Sequence, residues 1–273
     1  MIPAPFDYEV AESADHAVEL LGSGKDAKLL AGGHSLLPLM RLRLARPEVL
    51  VDIGRVSDLS YVREDGDAVA VGALTRYRDL EQDELLRAEC PILAEMSGRV
   101  GDPQVRHRGT IGGSVAHCDP ASDAPAVLLA LDAELVVRGP GGERRLPVGE
   151  SFGGFLQTAL EPQEVLTEIR VPKTGGAGWA YEKLTRRSQD WATVGVAAVR
   201  MNGGVHVGLT NMGATALRAG GVEEALSSGS DPAAAAERAA EGTSPPSDHN
   251  ASAEFRQHLA RVLTRRALEE ALG

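Results

Sequence analysis

Two glycine pairs mark places where backbone could do chemistry. The first lies in Ala31-Gly32-Gly33-His34-Ser35 and the second in Gly109-Thr110-Ile111-Gly112-Gly113-Ser114. Paired glycines let a chain turn with successive N–H groups aimed at one point, and their missing side chains let a ligand come close. A pyrophosphate needs such donors, and a helix starting just downstream adds a favourable dipole. The hydroxyls of Ser35, Thr110 and Ser114 can also donate to phosphate oxygens. Each pair alone reads first as an ordinary tight turn. Two of them, both with hydroxyl neighbours and both leading into apolar sequence, point toward a phosphate-bearing ligand.

A second constellation gathers Glu182, Lys183, Arg187, Asp190 and Trp191 at the end of a strand-like run. It reads as a solvated turn, or as a site where Trp191 stacks on a planar cofactor and Lys183 stabilises its reduced, anionic form. His34, inside the first glycine segment, fits either a hydrogen bond that fixes the loop or a covalent link to a flavin. Other matches fail on context. Gly22-Ser23-Gly24-Lys25-Asp26-Ala27 follows a helix and precedes a strand, the reverse of a dinucleotide fingerprint, so it reads as a helix-ending turn. Gly149-Glu150-Ser151-Phe152-Gly153 lacks the buried strand and following helix of a nucleophile elbow. His117-Cys118-Asp119 are adjacent, and no second pair at zinc-like spacing accompanies them, so no metal site is expected. No acid–base catalytic residue is assigned.

The totals narrow the class of protein. With 28 basic against 39 acidic side chains the chain carries a formal charge of −11, which opposes binding to nucleic acid or anionic lipid. Its two cysteines, Cys90 and Cys118, are too few for an iron–sulfur cluster held by four thiolates. No uncharged apolar stretch approaches the roughly 18 residues of a membrane span. The opening MIPAPFDYEV lacks a signal-peptide pattern, so a cytoplasmic protein is expected. The 43% hydrophobic share with only 4% aromatic residues implies a core of Leu, Val, Ala and Ile.

The elements that must position these residues follow from periodicity. Residues 13–21 read as a helix capped by Ser13, 27–31 as a strand, 36–42 as a helix and 49–53 as a buried strand. Strands at 59–63 and 68–71 flank the hairpin signal Asp65-Gly66-Asp67. Helical patterns cover 76–88, 91–100 and 122–131, the last opening on the capping sequence Ser-Asp-Ala-Pro, with strands at 133–138 and 165–171. Residues 172–178 form a linker. Strand-like runs at 179–184, 193–201 and 204–211 precede alanine-rich helical sequence, a loop at 242–250 and a final helix over 251–271. The fold class is α+β, in three consecutive units at 1–55, 56–172 and 173–273.

Taken together, MIPAPFDY, LAGGHSLLPLMRLRLARPEVLVDI, DPQVRHRGTIGGS, DPASDAPA, YEKLTRRSQDWATVGVAA and SAEFRQHLARVLTRRAL make the chain resemble the FAD-binding, medium subunits of the molybdenum hydroxylase family, such as that of aerobic carbon monoxide dehydrogenase. The resemblance implies a two-subdomain FAD-binding fold of the vanillyl-alcohol-oxidase/PCMH type, followed by an α+β C-terminal domain. It implies that Ala31, Gly32, Gly33, His34 and Ser35, with Thr110, Ile111, Gly112, Gly113 and Ser114, hold the pyrophosphate of a non-covalent FAD. It places Asp123 in the adenosine-side pocket, and Lys183 and Trp191 near the isoalloxazine. Ser114 stands where the family often has Asn, and Trp191 where it often has Tyr. It further implies partners: a large molybdopterin-binding subunit carrying the molybdenum cofactor and a small one carrying [2Fe–2S] clusters, in a dimer of heterotrimers. This chain would then pass electrons while its partners perform the oxidation. The alternative is a stand-alone flavin oxidase or reductase of the same fold superfamily.

Overall fold

The computed structural model describes residues 2–273. Its first unit alternates β1 (Asp7–Val10), α1 (Ala14–Leu21), β2 (Ala27–Leu30), α2 (Leu36–Arg41) and β3 (Val49–Asp52). The three strands form a parallel sheet in the order β1-β3-β2. Val49, Leu50 and Val51 of the central strand are buried, as a continuous apolar run requires. Ser13 caps α1 by accepting the His16 N–H at 3.0 Å, and Gly22 closes the helix. Strand β1 has no apolar alternation to announce it, because it is an edge strand with three of its four residues exposed. The other edge, β2, borders the cleft described below.

The second unit is a five-stranded antiparallel sheet, β4-β5-β10-β6-β7, covered by helices. Its strands are β4 (Val62–Asp65), β5 (Ala68–Gly72), β6 (Glu134–Gly139), β7 (Gly142–Pro147) and β10 (Val165–Pro172). Strand β4 starts later than expected, since Ser57–Leu59 form a 3-10 turn that buries Leu59. The helical pattern over 76–88 is interrupted. It forms α3 (Tyr77–Gln82) and α4 (Glu84–Glu89), because Asp83 adopts ψ 123° and its side chain caps the Leu86 N–H at 2.8 Å. Helices α5 (Pro91–Gly98), α6 (Pro103–Arg106), α7 (Ile111–His117) and α8 (Asp123–Ala130) follow. Strand β7 escaped the sequence reading because only Leu146 in Gly-Glu-Arg-Arg-Leu-Pro is buried. A small hairpin, β8 (Phe152–Gly154) and β9 (Gln157–Thr158), projects before β10.

All eight residues of α8 are buried. A helix without a wet face must be enclosed, and the third unit supplies the cover. That unit is an antiparallel sheet of β11 (Trp179–Leu184), β12 (Val194–Met201), β13 (Gly204–Thr210) and β14 (Leu217–Arg218). Helices α9 (Gly220–Ser227), α10 (Pro232–Ala236) and the long α11 (Ala253–Leu272) complete it. Tyr181, Ala197 and Val199 belong to the same apolar core as the second unit's sheet. Arg218 ties the C-terminal end of α8 to this unit by donating to the Leu129 carbonyl (3.0 Å) and to Asp132 (2.6 Å). Among the described residues no helix is long and apolar enough to cross a membrane.

Arg144 of β7 grips Glu164, just before β10, with two bonds of 2.7 Å. That hydrogen bond holds the Glu164 carboxyl below its ordinary value of 4.5. A carboxyl whose pKa is lowered on folding adds stability above its unfolded pKa and loses it as pH falls through the folded one. Glu164→Gln is therefore expected to flatten the loss of stability below pH 4.5 while changing it little near neutrality; urea unfolding across the acid range checks this.

Candidate functional site: a cleft between three units

Strand β2 ends at Leu30, and the chain then turns sharply through Gly33, whose φ is +80°, before α2 begins. Across from it, the segment after α6 runs through Gly109 into Thr110, which caps α7 by accepting the Gly113 N–H at 3.2 Å. The two segments are in direct backbone contact. A Cβ on Gly32 would sit 2.3 Å from the Arg108 carbonyl oxygen and 3.0 Å from Gly109 Cα. Between and beyond them opens a cleft of about 650 Å³, within the roughly 300–1,000 Å³ typical of small-molecule sites.

The two glycine segments differ in chemistry. Among the described residues, no acceptor takes the backbone N–H groups of Gly32, Gly33, His34, Ser35 or Leu36. In the second segment most of the donors are spent inside the protein. Ile111 N–H bonds the Thr75 carbonyl (3.1 Å), Gly112 the Ala73 carbonyl (2.9 Å), and Ser114 the Thr110 carbonyl (3.2 Å). Gly112 serves packing, since a Cβ there would lie 2.5 Å from that of Ala73. The two segments expected to hold the pyrophosphate thus differ: the first is an open row of donors and the second a close-packed wall. That wall still offers hydroxyls. Thr110 Oγ accepts from Gly113 and keeps its own proton available.

Ala31, Gly32, Gly33, His34, Ser35, Thr110, Gly112, Gly113, Ser114, Asp123, Lys183 and Trp191 all border the cleft. Ile111 does not: its side chain is fully buried in the core of the second unit. Its position right after the cap made it look like part of the loop, but it is the first core residue of α7. His34 is exposed. Of the decoys, His117 also borders the cleft, while Ser151 is buried and its Oγ donates to the Val148 carbonyl at 2.6 Å.

Asp123 and Lys183 do not sit at opposite ends of the cleft. They form an ion pair of 2.8 Å, with both side chains only 5% exposed. Asp123 also accepts the Tyr181 hydroxyl (2.5 Å), and Lys183 donates to the Arg99 carbonyl (3.0 Å). Residues 181 and 183 share one face of β11, which is why both reach the N-terminus of α8. Burial pushes the Asp123 carboxyl up, against the opposing pull of Lys183 and Tyr181, and burial pushes the Tyr181 phenol well above its ordinary range. Asp123, expected in the adenosine-side pocket, and Lys183, expected near the isoalloxazine, thus stand together at one place, where the second and third units meet.

The sequence reading missed several residues of the cleft lining, Lys28 and Leu156 among them. Lys28, exposed on the edge strand β2, borders the cleft; a charged residue inside an apolar strand run was the available signal. Leu156, at the turn of the β8–β9 hairpin with φ +56°, also borders it. A leucine in the left-handed region leaves no trace in a sequence.

Comparison with known proteins defines the class. Residues 4–174 match the model of the FAD binding domain in molybdopterin dehydrogenase, and residues 179–271 that of the CO dehydrogenase flavoprotein C-terminal domain. The carbon monoxide dehydrogenase medium chain of Hydrogenophaga pseudoflava is 44% identical over 282 residues, covering 99% of this chain and 98% of the relative. The 6-hydroxypseudooxynicotine dehydrogenase complex subunit alpha of Paenarthrobacter nicotinovorans is 38% identical, covering 100% and 96%. A solved Hydrogenophaga pseudoflava carbon monoxide dehydrogenase, lacking the Mo-pyranopterin moiety of its cofactor, superposes with a TM-score of 0.96 at 46% identity, covering 100% of this chain and 99% of that one. The chain belongs to the family of FAD-binding medium subunits of molybdenum hydroxylases.

Two substitutions probe this geometry. Gly32→Ala is expected to destabilise the chain by about 1–3 kcal/mol, the usual cost of overpacking, because rigid backbone stands where the methyl would go. Lys183→Met leaves the Asp123 carboxyl buried without its cation, and removing one partner of a buried pair costs about 3–5 kcal/mol. Chemical denaturation measures both.

Proposed function

We propose that this chain holds a non-covalent FAD in the cleft and passes electrons from iron–sulfur clusters on a partner subunit to an external acceptor. The observation that carries the reading is the row of unspent N–H donors from Gly32 to Leu36. Five successive N–H groups that bond no acceptor among the described residues, on residues that all border the cleft, would find their acceptors in an anionic pyrophosphate. The Thr110 and Ser114 hydroxyls would bond it from the facing wall, with Ala31 completing the turn. Bound there, the flavin would supply the redox chemistry, because it takes up electrons singly or in pairs.

The protein's share is orientation and electrostatics. Lys183, fixed by Asp123 and the Arg99 carbonyl, would present its charge at one stationary point of the cleft wall. Trp191 is 56% exposed at the cleft edge and would offer its ring face to the isoalloxazine. The division into units at 1–55, 56–172 and 173–273 is part of the same proposal. It is supported by a separate main sheet in each unit and by family matches that end at 174 and resume at 179.

The same reading places the molybdenum cofactor on a large partner subunit and the [2Fe–2S] clusters on a small one, assembled as a dimer of heterotrimers in the cytoplasm. Two cysteines, both buried, support that division of labour. Relatives named for carbon monoxide and for 6-hydroxypseudooxynicotine each align along almost the whole chain, so selection of substrate is assigned to the large subunit.

Purified chain loaded with FAD and then acid-precipitated is expected to release its yellow colour into the supernatant. Colour retained in the pellet would favour a stand-alone oxidase or reductase with flavin linked to His34. A colourless protein that takes up no FAD would sink both. Co-purification with an iron–sulfur chain and a molybdopterin-binding chain tests the assembly.

A further inference from the structure

The loop that carries Trp191 spans residues 185–193, between β11 and β12, and its tip residues Gln189, Asp190 and Trp191 border the cleft. Carbonyls in such a loop ordinarily bond to water. Here the two that directly follow Trp191 are both taken by side chains from elsewhere in the third unit. Asn211 Nδ2 donates to the Ala192 carbonyl at 2.7 Å, in a bond sealed from solvent. The guanidinium of Arg256, only 1% exposed although it is an arginine, donates to the Thr193 carbonyl.

Arg256 is in turn gripped by both carboxylate oxygens of Asp248 at 2.9 Å. Asp248 also organises its own turn, accepting the N–H groups of Asn250 (2.8 Å) and Ala251 (3.1 Å). The near side of the loop is fastened to that same turn, where Arg186 donates to the His249 carbonyl (3.1 Å). A single turn before α11 thus holds both ends of the Trp191 loop. The cost is visible, since Arg256 Nε is buried without a partner. A buried, incompletely satisfied arginine is an expensive way to close a loop that needs only to be closed.

We infer that Arg256, clamped by Asp248, is a positioning residue that sets where Trp191 stands against the cleft. The inference rests on the proposed role of Trp191 beside the flavin. It adds that the third unit contributes to the cofactor site through this buckle and not only through Lys183.

The test uses full-length chain carrying Trp179→Phe, so that Trp191 is the one remaining tryptophan of two. In that background Asp248→Asn breaks the two-oxygen grip while keeping the side-chain shape. Asn211→Gly releases the Ala192 carbonyl by a separate route and suits the positive φ of 63° there. Both variants are expected to make Trp191 more accessible to acrylamide without FAD. Amide exchange over 185–193 should accelerate about tenfold, with exchange in β12 and α11 unchanged. With FAD bound, Trp191 fluorescence should be quenched less than in the Trp179→Phe reference. Unchanged accessibility and exchange in both variants would overturn the buckle. So would acceleration spread evenly through α11 and the third sheet, the signature of a merely structural role. If FAD quenches no fluorescence even in the reference, the flavin contact of Trp191 fails. The FAD-free measurements then still decide whether the buckle places the loop.

Discussion

The buried pair of Asp123 and Lys183 is the constraint on which the arrangement of the three units depends. A carboxylate at the first position of a helix with no wet face cannot be hydrated, and leaving it alone in that setting would be prohibitive. Its cation comes from β11, along with the Tyr181 hydroxyl on the same strand face. The pair therefore fastens the third unit to α8, in a placement that brings the tip of its loop 185–193 to the cleft. A pair of this kind is weak evidence for stability as such. Its value here is register, because a shift of β11 by one residue would turn both partners to the wrong face.

The cleft itself depends on a second contact, between backbones. Gly32 lies against Arg108 and Gly109 so closely that no side chain fits. This contact joins the first unit to the second at the point where the unspent N–H donors begin. The two glycine segments, alike on paper, therefore divide the work. One is open and donates, and the other is packed and supplies a wall with hydroxyls. In the second segment the glycines mainly let protein approach protein, since Gly112 accommodates Ala73 where a ligand-binding reading had put a phosphate.

Much of this was legible in the sequence for physical reasons that can be named. Buried strands such as β3 and β12 announce themselves as apolar runs, and α1 by its serine cap. The edge strands β1 and β7 do not, because an edge is held by backbone bonds to one neighbour and needs few buried side chains. The break at Asp83 was hidden because a capping aspartate and a mid-helix aspartate look alike until ψ is known. In the site, the residue types at the glycine segments showed that a phosphate ligand was plausible. They could not show which N–H groups would be free, since that depends on Thr75 and Ala73, carbonyls brought in by tertiary structure.

The proposed redox role gives these features a common purpose. A group that receives electrons from one partner and releases them to another must stay put, because small changes in its electrostatic surroundings alter its potential. A cleft at the meeting point of three units would be a poor place for such a group if the units could slide. The Asp123–Lys183 pair, the Gly32 contact and the Arg256–Asp248 buckle each act across a different seam: second to third unit, first to second, and loop to its own unit. A flavin held in the cleft would therefore meet walls fastened at each of these seams, and holding it in one electrostatic setting would be the share of electron passage that these contacts carry.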